Sequence, residues 1–136
     1  MTQITDQQRQ IAIDYKKRIS ARFMLVEGAK LKQRVIGDNF CVTRKIDGHL
    51  QCIFFDAGDT FLLNSQGKER VSNLKCIESC TRQLQMAGVK SAVIAAELYM
   101  PNENGRPRCN DVASALADSA KRDLLQIGRA SCRERV

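Results

Sequence analysis

The sequence predicts an α+β domain, with a mainly antiparallel sheet and flanking helices. Apolar residues recur at helical spacing in three segments, near residues 5–26, 73–87 and 110–124. Between the first two segments the apolar period falls to two, in short runs separated by turn residues. The order helix, three strands, helix, strand, helix therefore favours an antiparallel sheet over alternating βα units.

The composition is that of an ordinary soluble protein. The chain has 136 residues, of which 43% are hydrophobic and 27% charged, enough for one domain or part of one. No apolar run approaches the roughly 20 residues that span a bilayer, and the polar residues 2–10 contain no signal-peptide core. We expect a cytoplasmic protein that does not contact a membrane, and the sequence indicates no obligate protein partner.

The first predicted helix spans residues 5–26. Thr5 or Asp6 can cap its start, and Gly28 is a plausible end. Residues 29–38 then form a basic connector. The apolar face of this helix consists of five residues at helical spacing: Ile11, Tyr15, Ile19, Phe23 and Val26.

Three strands are predicted to follow, in an antiparallel meander. Phe40, Val42 and Ile46 mark the first strand, although Arg44 and Lys45 interrupt its alternation. The other two strands are predicted at residues 50–56 and 60–64. Three turns separate or end them: Asp47-Gly48, Ala57-Gly58 and residues 65–68.

The second half of the chain predicts two helices and two strands. Asn73 caps a helix over residues 73–87, and Gly88 ends it. Residues 91–100 (SAVIAAELYM) open with a continuous apolar run, as expected of a central strand buried on both faces. A turn at 101–105, a short strand at 106–109 and a last helix follow. That helix is capped by Asn110 and carries Val112, Leu116, Ala120 and Leu124.

The positive charge is concentrated near the N-terminus. Residues 1–34, the predicted basic helix and connector, hold eight Lys/Arg against three Asp/Glu, whereas residues 35–126 hold eleven of each. A localised basic segment is typical of proteins that bind a phosphate backbone, but it is equally compatible with a solvated helix face. The candidate nucleic-acid contacts are Arg9, Lys16, Lys17 and Arg22.

Residues 127–136 (IGRASCRERV) match, residue for residue, one reading frame of a common sequencing-library adapter. We expect that the natural protein sequence is interrupted near Gln126 and that these ten residues are adapter read-through. Such residues would not be part of the natural fold.

The cysteines and the single histidine do not form a recognisable catalytic or metal set. Six cysteines lie mostly inside apolar segments, so we expect them to be reduced. Cys76 and Cys80 are four residues apart on a predicted helix, but no Cys-x-x-Cys pair or histidine completes a zinc site, and core packing is favoured. His49 is interpreted as a polar strand residue just after a turn.

Lys45 is the candidate covalent nucleophile of the sequence. It lies within residues 42–48, directly before the Asp47-Gly48 turn. The alternative is that Asp47-Gly48 is an ordinary hairpin turn and Lys45 a solvated charge beside it. The residues around Lys45 do not decide between the two interpretations.

Two short motifs add a family resemblance. Lys45-Ile46-Asp47-Gly48 is a Lys-x-Asp-Gly signature, and Ala96-Glu97-Leu98-Tyr99 ends the later buried strand. In this order, the chain resembles the nucleotidyltransferase superfamily of ATP-dependent DNA ligases, RNA ligases and mRNA-capping guanylyltransferases, over about residues 36–118. Residues 43–48 are especially similar to the form found in RNA ligases. Residues 35–126 would then be the N-terminal half of a ligase-type (ATP-grasp-like) nucleotidyltransferase domain.

The resemblance implies a specific chemistry. Lys45 would attack the α-phosphate of ATP and carry AMP, which would pass to a 5′-phosphate of nicked DNA or of RNA ends before strand joining. Glu97 would contact the ribose, and Asp47 and Gly48 would position the lysine, with Arg44 counted among the nucleotide-binding residues. Mg²⁺ would balance the phosphate charge, with Glu97 as the candidate metal contact through the Mg-nucleotide.

Several positions differ from the family pattern. Leu50 and Ser65 stand where many members have arginine, Ala96 where glycine is usual, and Cys109 where an aromatic residue would stack on adenine. The later lysine motifs that grip the triphosphate have no counterpart before Gln126, so we expect this fragment to be poorly active. The alternatives are an RNA ligase, a GTP-using capping enzyme, or a non-enzymatic basic nucleic-acid-binding module.

Overall fold

The computed structural model describes residues 3–18, 22, 26–39, 46–70 and 73–129. Within these residues five strands form one sheet in the order β3-β2-β1-β4-β5, and every neighbouring pair is antiparallel. The predicted α+β class with a mainly antiparallel sheet is confirmed. The elements are α1 Asp6–Arg18, α2 Leu31–Arg34, β1 His49–Asp56, β2 Asp59–Asn64, β3 Glu69–Arg70, α3 Lys75–Met86, β4 Ser91–Tyr99, α4 Cys109–Ala117, α5 Ser119–Arg122 and β5 Gln126–Arg129.

The β1–β2 hairpin forms where the sequence predicts it. Its two turn residues both have positive φ, 48° at Ala57 and 97° at Gly58, which is the backbone geometry of a tight hairpin turn that matches strand twist. Phe54 pairs with Phe61 across the hairpin, and their rings stack with centroids 5.1 Å apart. Both strands were predicted within one residue of their observed starts.

The sheet buries a different core on each face. On one face Ile53 and Leu62 pack with Leu74 and Ile77 of the α3 region and with Val112 of α4. On the other face, the central contacts come from side chains of β1, β2 and α1: Ala12, Cys52, Phe54, Phe61 and Leu63. Since side chains alternate along a strand, these two clusters identify the face on which every other strand residue lies.

Helix α1 begins as predicted but turns a different face to the sheet. Thr5 caps it through a reciprocal pair, in which Gln8 N donates to Thr5 Oγ1 at 3.2 Å and Thr5 N donates to Gln8 Oε1 at 2.9 Å. Ala12 is fully buried, whereas Ile11 remains 41% exposed, so the predicted apolar face is wrong at Ile11. The small alanine lets the helix backbone approach the sheet closely.

The end of the first helix also differs from the prediction. Helix α1 is described as far as Arg18, and Ile19 and Phe23 of the predicted face lie outside the described residues. Gly28 does not end a helix. It begins a 3₁₀ turn, Gly28–Lys30, that continues into α2, so the connector is partly helical, consistent with the helix propensity of its leucine, lysine, glutamine and arginine.

Helix α3 ends at Gly88 as predicted. Gly88 has φ 71°, its N–H donates to Gln85 O, and Val89 N–H donates to Leu84 O, each at 3.0 Å. These two bonds form a Schellman motif, which needs the left-handed glycine. The predicted cap at Asn73 is wrong, because Leu74 occupies the N-cap position and no side chain caps the helix.

Strand β4 is less buried than its apolar sequence predicts. Only Ala96, Glu97 and Leu98 of the strand are buried, and Val93 is 51% exposed. Val93 lies on the same sheet face as Cys52. Ala12 of α1 packs on that face as well, but Val93 is not part of this core cluster. Burial of the whole strand on both faces was therefore a wrong prediction.

The segment after β4 departs most from the predicted elements. The short strand predicted at residues 106–109 is absent, because Cys109 already begins α4 and Arg108 is its N-cap, so Asn110 is not the cap. Asp118 then breaks the predicted long helix and caps α5, its Oδ1 accepting from Ala120 N at 2.9 Å. As a result Leu124 leaves the helix and is 56% exposed.

Two predicted segments fall largely outside the described residues. Of the first predicted strand, Phe40 and Val42 lie outside them, and Ile46 has no strand conformation. Residues 126–129 form β5 at the sheet edge, paired with β4. The rest of the segment that we assign to adapter sequence, residues 130–136, also lies outside the described residues. No described helix is long and apolar enough to cross a membrane.

Candidate functional site

A cavity of about 810 Å³ lies at the end of the sheet where β1 begins and β2 and β4 end. Its volume is within the range of small-molecule sites, roughly 300–1,000 Å³. Five segments line it: residues 46–51, residues 64–66, Arg70, Glu97 and residues 106–110. The cavity therefore collects polar groups from the Asp47-Gly48 turn, four strands and the start of α4.

The Asp47-Gly48 turn and Glu97 line the same cavity. A side chain at position 48 would overlap the carbonyl oxygen of Leu98 and would bring its Cβ 3.1 Å from Tyr99 Cβ. Only glycine lets the turn lie directly against the two residues that follow Glu97. The Asp47-Gly48 turn and Glu97 are distant along the chain, but they are neighbours in the structure.

The remaining site residues predicted from the resemblance are Lys45 and Arg44, and both lie outside the described residues. Their immediate neighbour Ile46 lines the cavity. Glu97 is 6% exposed and pairs in register with Leu50, on the sheet face that carries Cys52 and Leu63. The structure therefore brings Asp47, Gly48 and Glu97 together and leaves the position of Lys45 untested.

The opposite face of the sheet contributes His49 and Gln51 to the cavity lining. Both precede Ile53 at alternate positions of β1, so they share its face, and Arg70 lies there too because it pairs with Leu62. Burial lowers the pKa of His49, and the nearby Arg70 charge lowers it further, while a hydrogen bond to the Cys109 backbone acts in the opposite direction. The imidazole joins the start of β1 to the start of α4.

The lowered pKa of His49 makes stability depend on pH. The folded chain favours the neutral ring, so its stabilisation is fully present above the unfolded-state pKa of 6.5 and is lost as the pH falls below that value through the folded pKa. We expect the free energy of unfolding, measured in urea, to fall more between about pH 7.5 and about pH 5.5 in the wild type than in His49→Gln. Parallel pH profiles for the two proteins would contradict this expectation.

Three arginines make the cavity suited to an anion. Arg70, Arg106 and Arg108 line it and are exposed, whereas two carboxylates, Asp47 and Glu97, lie among the lining residues. The first turn of α4 also lines the cavity, and no side chain caps that helix. Guanidinium groups and free N–H groups at a helix start both bind phosphate oxygens.

The turn after β2 is fixed from two sides. Asn64 Oδ1 accepts hydrogen bonds from Gln66 N at 3.0 Å and Lys68 N at 2.9 Å, and Gly67 has φ 73°. Arg9 Nη1 of α1 donates to Gly67 O at 2.8 Å. This bond gives Arg9, a candidate nucleic-acid contact, a structural role in joining α1 to the wall of the cavity.

The other candidate nucleic-acid residues lie apart from the cavity lining. Lys17 and Arg22 are exposed, and Lys16 is half-buried and already has an interaction partner. Arg18, next to Lys17, forms an ion pair with Asp14 at 3.1 Å. Part of the positive charge of the basic helix is therefore engaged in interactions within the chain. A nucleic-acid contact at this helix stays a prediction.

The cysteines in the described part of the chain are free thiols: Cys52, Cys76, Cys80 and Cys109. Burial raises the pKa of Cys52 to about 11 and also raises those of Cys76 and Cys80, so these thiols are protonated near neutral pH. Cys52 and Cys76 pack in or against the two cores. Among the described residues no three His, Cys, Asp or Glu side chains form a group that could hold a metal ion.

Sequence reasoning missed several residues that line the cavity. Gln51, Arg70, Arg106 and Arg108 were not among the predicted site residues, and their places depend on strand register and on the start of α4. One feature of the sequence could have identified Gln51, because it is a polar residue within the mainly apolar strand β1.

Comparison with known proteins adds no assignment, because no protein-family model, no curated protein and no solved structure matches this chain.

Proposed function

We propose that this chain is the N-terminal half of the adenylation domain of an ATP-dependent polynucleotide ligase that joins DNA. One observation supports the proposal most. The Asp47-Gly48 turn lies against β4 directly beside Glu97, and all three residues line one cavity. This is the juxtaposition that a lysine nucleophile at position 45 and a ribose contact at position 97 require.

In the proposed reaction, Lys45 Nζ attacks the α-phosphorus of ATP. An N–P bond forms, the bond from the α-phosphorus to the bridging oxygen breaks, and pyrophosphate leaves with the electron pair of that bond. The attacking amine loses a proton to solvent and regains one when the N–P bond breaks, as AMP passes to an oxygen of a 5′-phosphate. The 3′-hydroxyl of the adjoining strand then attacks the 5′-phosphorus, loses its proton and releases AMP. A covalent intermediate divides one difficult step into easier ones.

The nucleophile must be a neutral amine. Free lysine has a pKa near 10.4, so only about one molecule in 2,500 is neutral at pH 7, a deficit of roughly 4.6 kcal/mol. Nearby cations lower the pKa of an amine. Arg70, Arg106 and Arg108 line the cavity, and they can serve this purpose as well as bind the phosphates of the nucleotide.

The lining residues also fit a magnesium nucleotide. Mg²⁺ in nucleotide sites is held by one or two carboxylates together with phosphate oxygens and water, and Asp47 and Glu97 are the two carboxylates of the cavity. When bound, the ion would balance the charge of the phosphates.

A labelling experiment tests the proposal. The whole ligase of this proposal, in which the chain would continue past residue 126, is called the extended protein. It is incubated with Mg²⁺ and α-labelled ATP or GTP. We expect a protein-bound label from ATP that survives alkali and is released by acid, as a P–N bond is, and that is lost in Lys45→Ala. Lys90→Ala is the matched control, because Lys90 is exposed and lies outside the cavity lining.

The outcomes separate the alternatives. Label from GTP alone would replace the ligase proposal with a capping guanylyltransferase. Equal labelling of wild type and Lys45→Ala, or no labelling from either nucleotide, would contradict both enzymes and favour a non-enzymatic binding module. A joining assay with nicked DNA and with single-stranded RNA then distinguishes a DNA ligase from an RNA ligase.

A further inference from the structure

Gln51 is the buried polar residue of the cavity whose hydrogen bonding is incomplete. Its side chain is 1% exposed, and it lines the cavity. Its Oε1 has no hydrogen-bond partner among the described residues. A buried acceptor left without a partner is destabilising, so Oε1 of Gln51 does not stabilise the fold.

The neighbours of Gln51 do not complete this bond. In the sheet it pairs with Asn64 on one side and Ala96 on the other. Asn64 directs its Oδ1 to the backbone N–H groups of Gln66 and Lys68, and Ala96 has no polar side chain. Ile53 and Leu62, farther along the same face, belong to the apolar core. His49 and Arg70, on the same face, give Oε1 no hydrogen bond either, so a partner would come from the cavity that Gln51 lines.

The surroundings also limit the chemistry of the molecule that would complete the bond. His49 and Arg70 lie on the same face as Gln51, and the pKa of His49 is lowered, which keeps its ring neutral near pH 7. Arg70, Arg106 and Arg108 are exposed, whereas Gln51 is enclosed. A ligand with an anionic end toward the arginines and an uncharged N–H or O–H donor at its buried end satisfies both parts of the cavity.

We propose that Gln51 determines ligand specificity by accepting, at Oε1, a hydrogen bond from an uncharged donor on the molecule that binds in this cavity. The inference rests on the proposed ATP site. ATP has the required chemistry, since its phosphates are anionic and it carries donors on the adenine amino group and on the ribose hydroxyls. Gln51 would then accept a hydrogen bond from one of those donors.

The test compares Gln51→Met with Gln83→Met in the extended protein. Gln83 is exposed on α3 and lies outside the cavity lining, so the same chemical change is made inside and outside the proposed site. Equilibrium binding is measured for Mg-ATP, 2′-deoxy-ATP, 3′-deoxy-ATP and the purine analogue that lacks the amino group. Thermal unfolding without nucleotide is measured on the same proteins.

We expect Gln51→Met to bind ATP roughly threefold to tenfold more weakly, as loss of one hydrogen bond implies, and Gln83→Met to bind as the wild type does. Without nucleotide, the unfolding temperature of Gln51→Met should be equal to or above that of the wild type, because an unsatisfied buried acceptor is removed. A purely structural glutamine would give the opposite result, a lowered unfolding temperature with unchanged discrimination among the analogues.

The analogues identify the donor. The wild type should prefer ATP over the one analogue that lacks the donor bound by Gln51. Gln51→Met should lose this preference and keep the others. If the wild type binds ATP but discriminates against none of the analogues, or if Gln51→Met keeps every preference, the inference is overturned while the ATP site stands. If the wild type binds no nucleotide, the proposed function fails and the inference fails with it.

Discussion

Replacing Gly48 by alanine should destabilise the protein and disrupt the cavity together. The new Cβ would overlap the backbone carbonyl of Leu98, which cannot move away as the tip of a flexible side chain can. Forcing atoms into a packed contact typically costs about 1–3 kcal/mol. To relieve the overlap, the turn must move away from β4, so Asp47 and the preceding Lys45 would shift relative to Glu97.

Displacement of a reacting group by about 1 Å can reduce a rate roughly 10²-fold, so we expect Gly48→Ala to slow labelling of the extended protein by a factor of that order. The measurements are urea unfolding and the rate of adduct formation from ATP. Gly105→Ala is the matched control, because its Cβ would have Asn102 Nδ2 as its nearest heavy atom, at 3.7 Å, and the loop beside the cavity would be undisturbed. Equal effects of the two substitutions would show that the close approach of Gly48 to β4 is unimportant.

Replacing Leu62 by alanine should have the largest effect on stability. Leu62 lies in β2 at the centre of one core, with 0% of its surface exposed. Truncating a buried leucine removes its transfer free energy and leaves a cavity, and together these cost about 2–5 kcal/mol. This is a large part of the roughly 5–15 kcal/mol that stabilises a typical domain.

The change in unfolding free energy can be measured by urea denaturation. Leu31→Ala in α2 provides the matched control, because Leu31 is 51% exposed and should change stability by less than about 0.5 kcal/mol. If Leu62→Ala were no more destabilising than Leu31→Ala, the assignment of Leu62 to the core would be wrong.

The elements that the sequence predicted well are those set by local signals. Ala57-Gly58 forms the hairpin turn through its own backbone conformation, and Gly88 ends α3 in the same local way. Thr5 and Gln8 form a capping box within one helical turn. Each depends on residues a few positions apart, so a sequence pattern contains the necessary information.

The predictions that failed depended on tertiary packing. The composition of β4 suggests burial on both faces, but Val93 is exposed because nothing among the described residues covers it. Asn73 and Asn110 are of a residue type that often caps helices, yet Leu74 and Arg108 occupy the N-cap positions. Side-chain preference is a weak determinant where packing sets the start of a helix.

The candidate site was predictable only in part. The motifs pointed to Asp47, Gly48 and Glu97, and the structure places all three on one cavity. Gln51 and Arg70 join that cavity because of strand register, which pairs Gln51 with Asn64 and Arg70 with Leu62. Register across three strands cannot be read from a single sequence with the accuracy needed to assign such neighbours.

The pairing of β1 with β4 also affects the order in which the molecule assembles. The β1–β2 hairpin closes over two residues, whereas Leu50 meets its partner Glu97 only after the chain has traversed the hairpin, β3 and α3. Closing the longer loop costs more chain entropy, and contacts distant in sequence slow folding. The cavity therefore belongs to the non-local part of the folding reaction: a nascent chain can form the hairpin early, but Asp47 and Glu97 become neighbours only when β4 has joined the sheet.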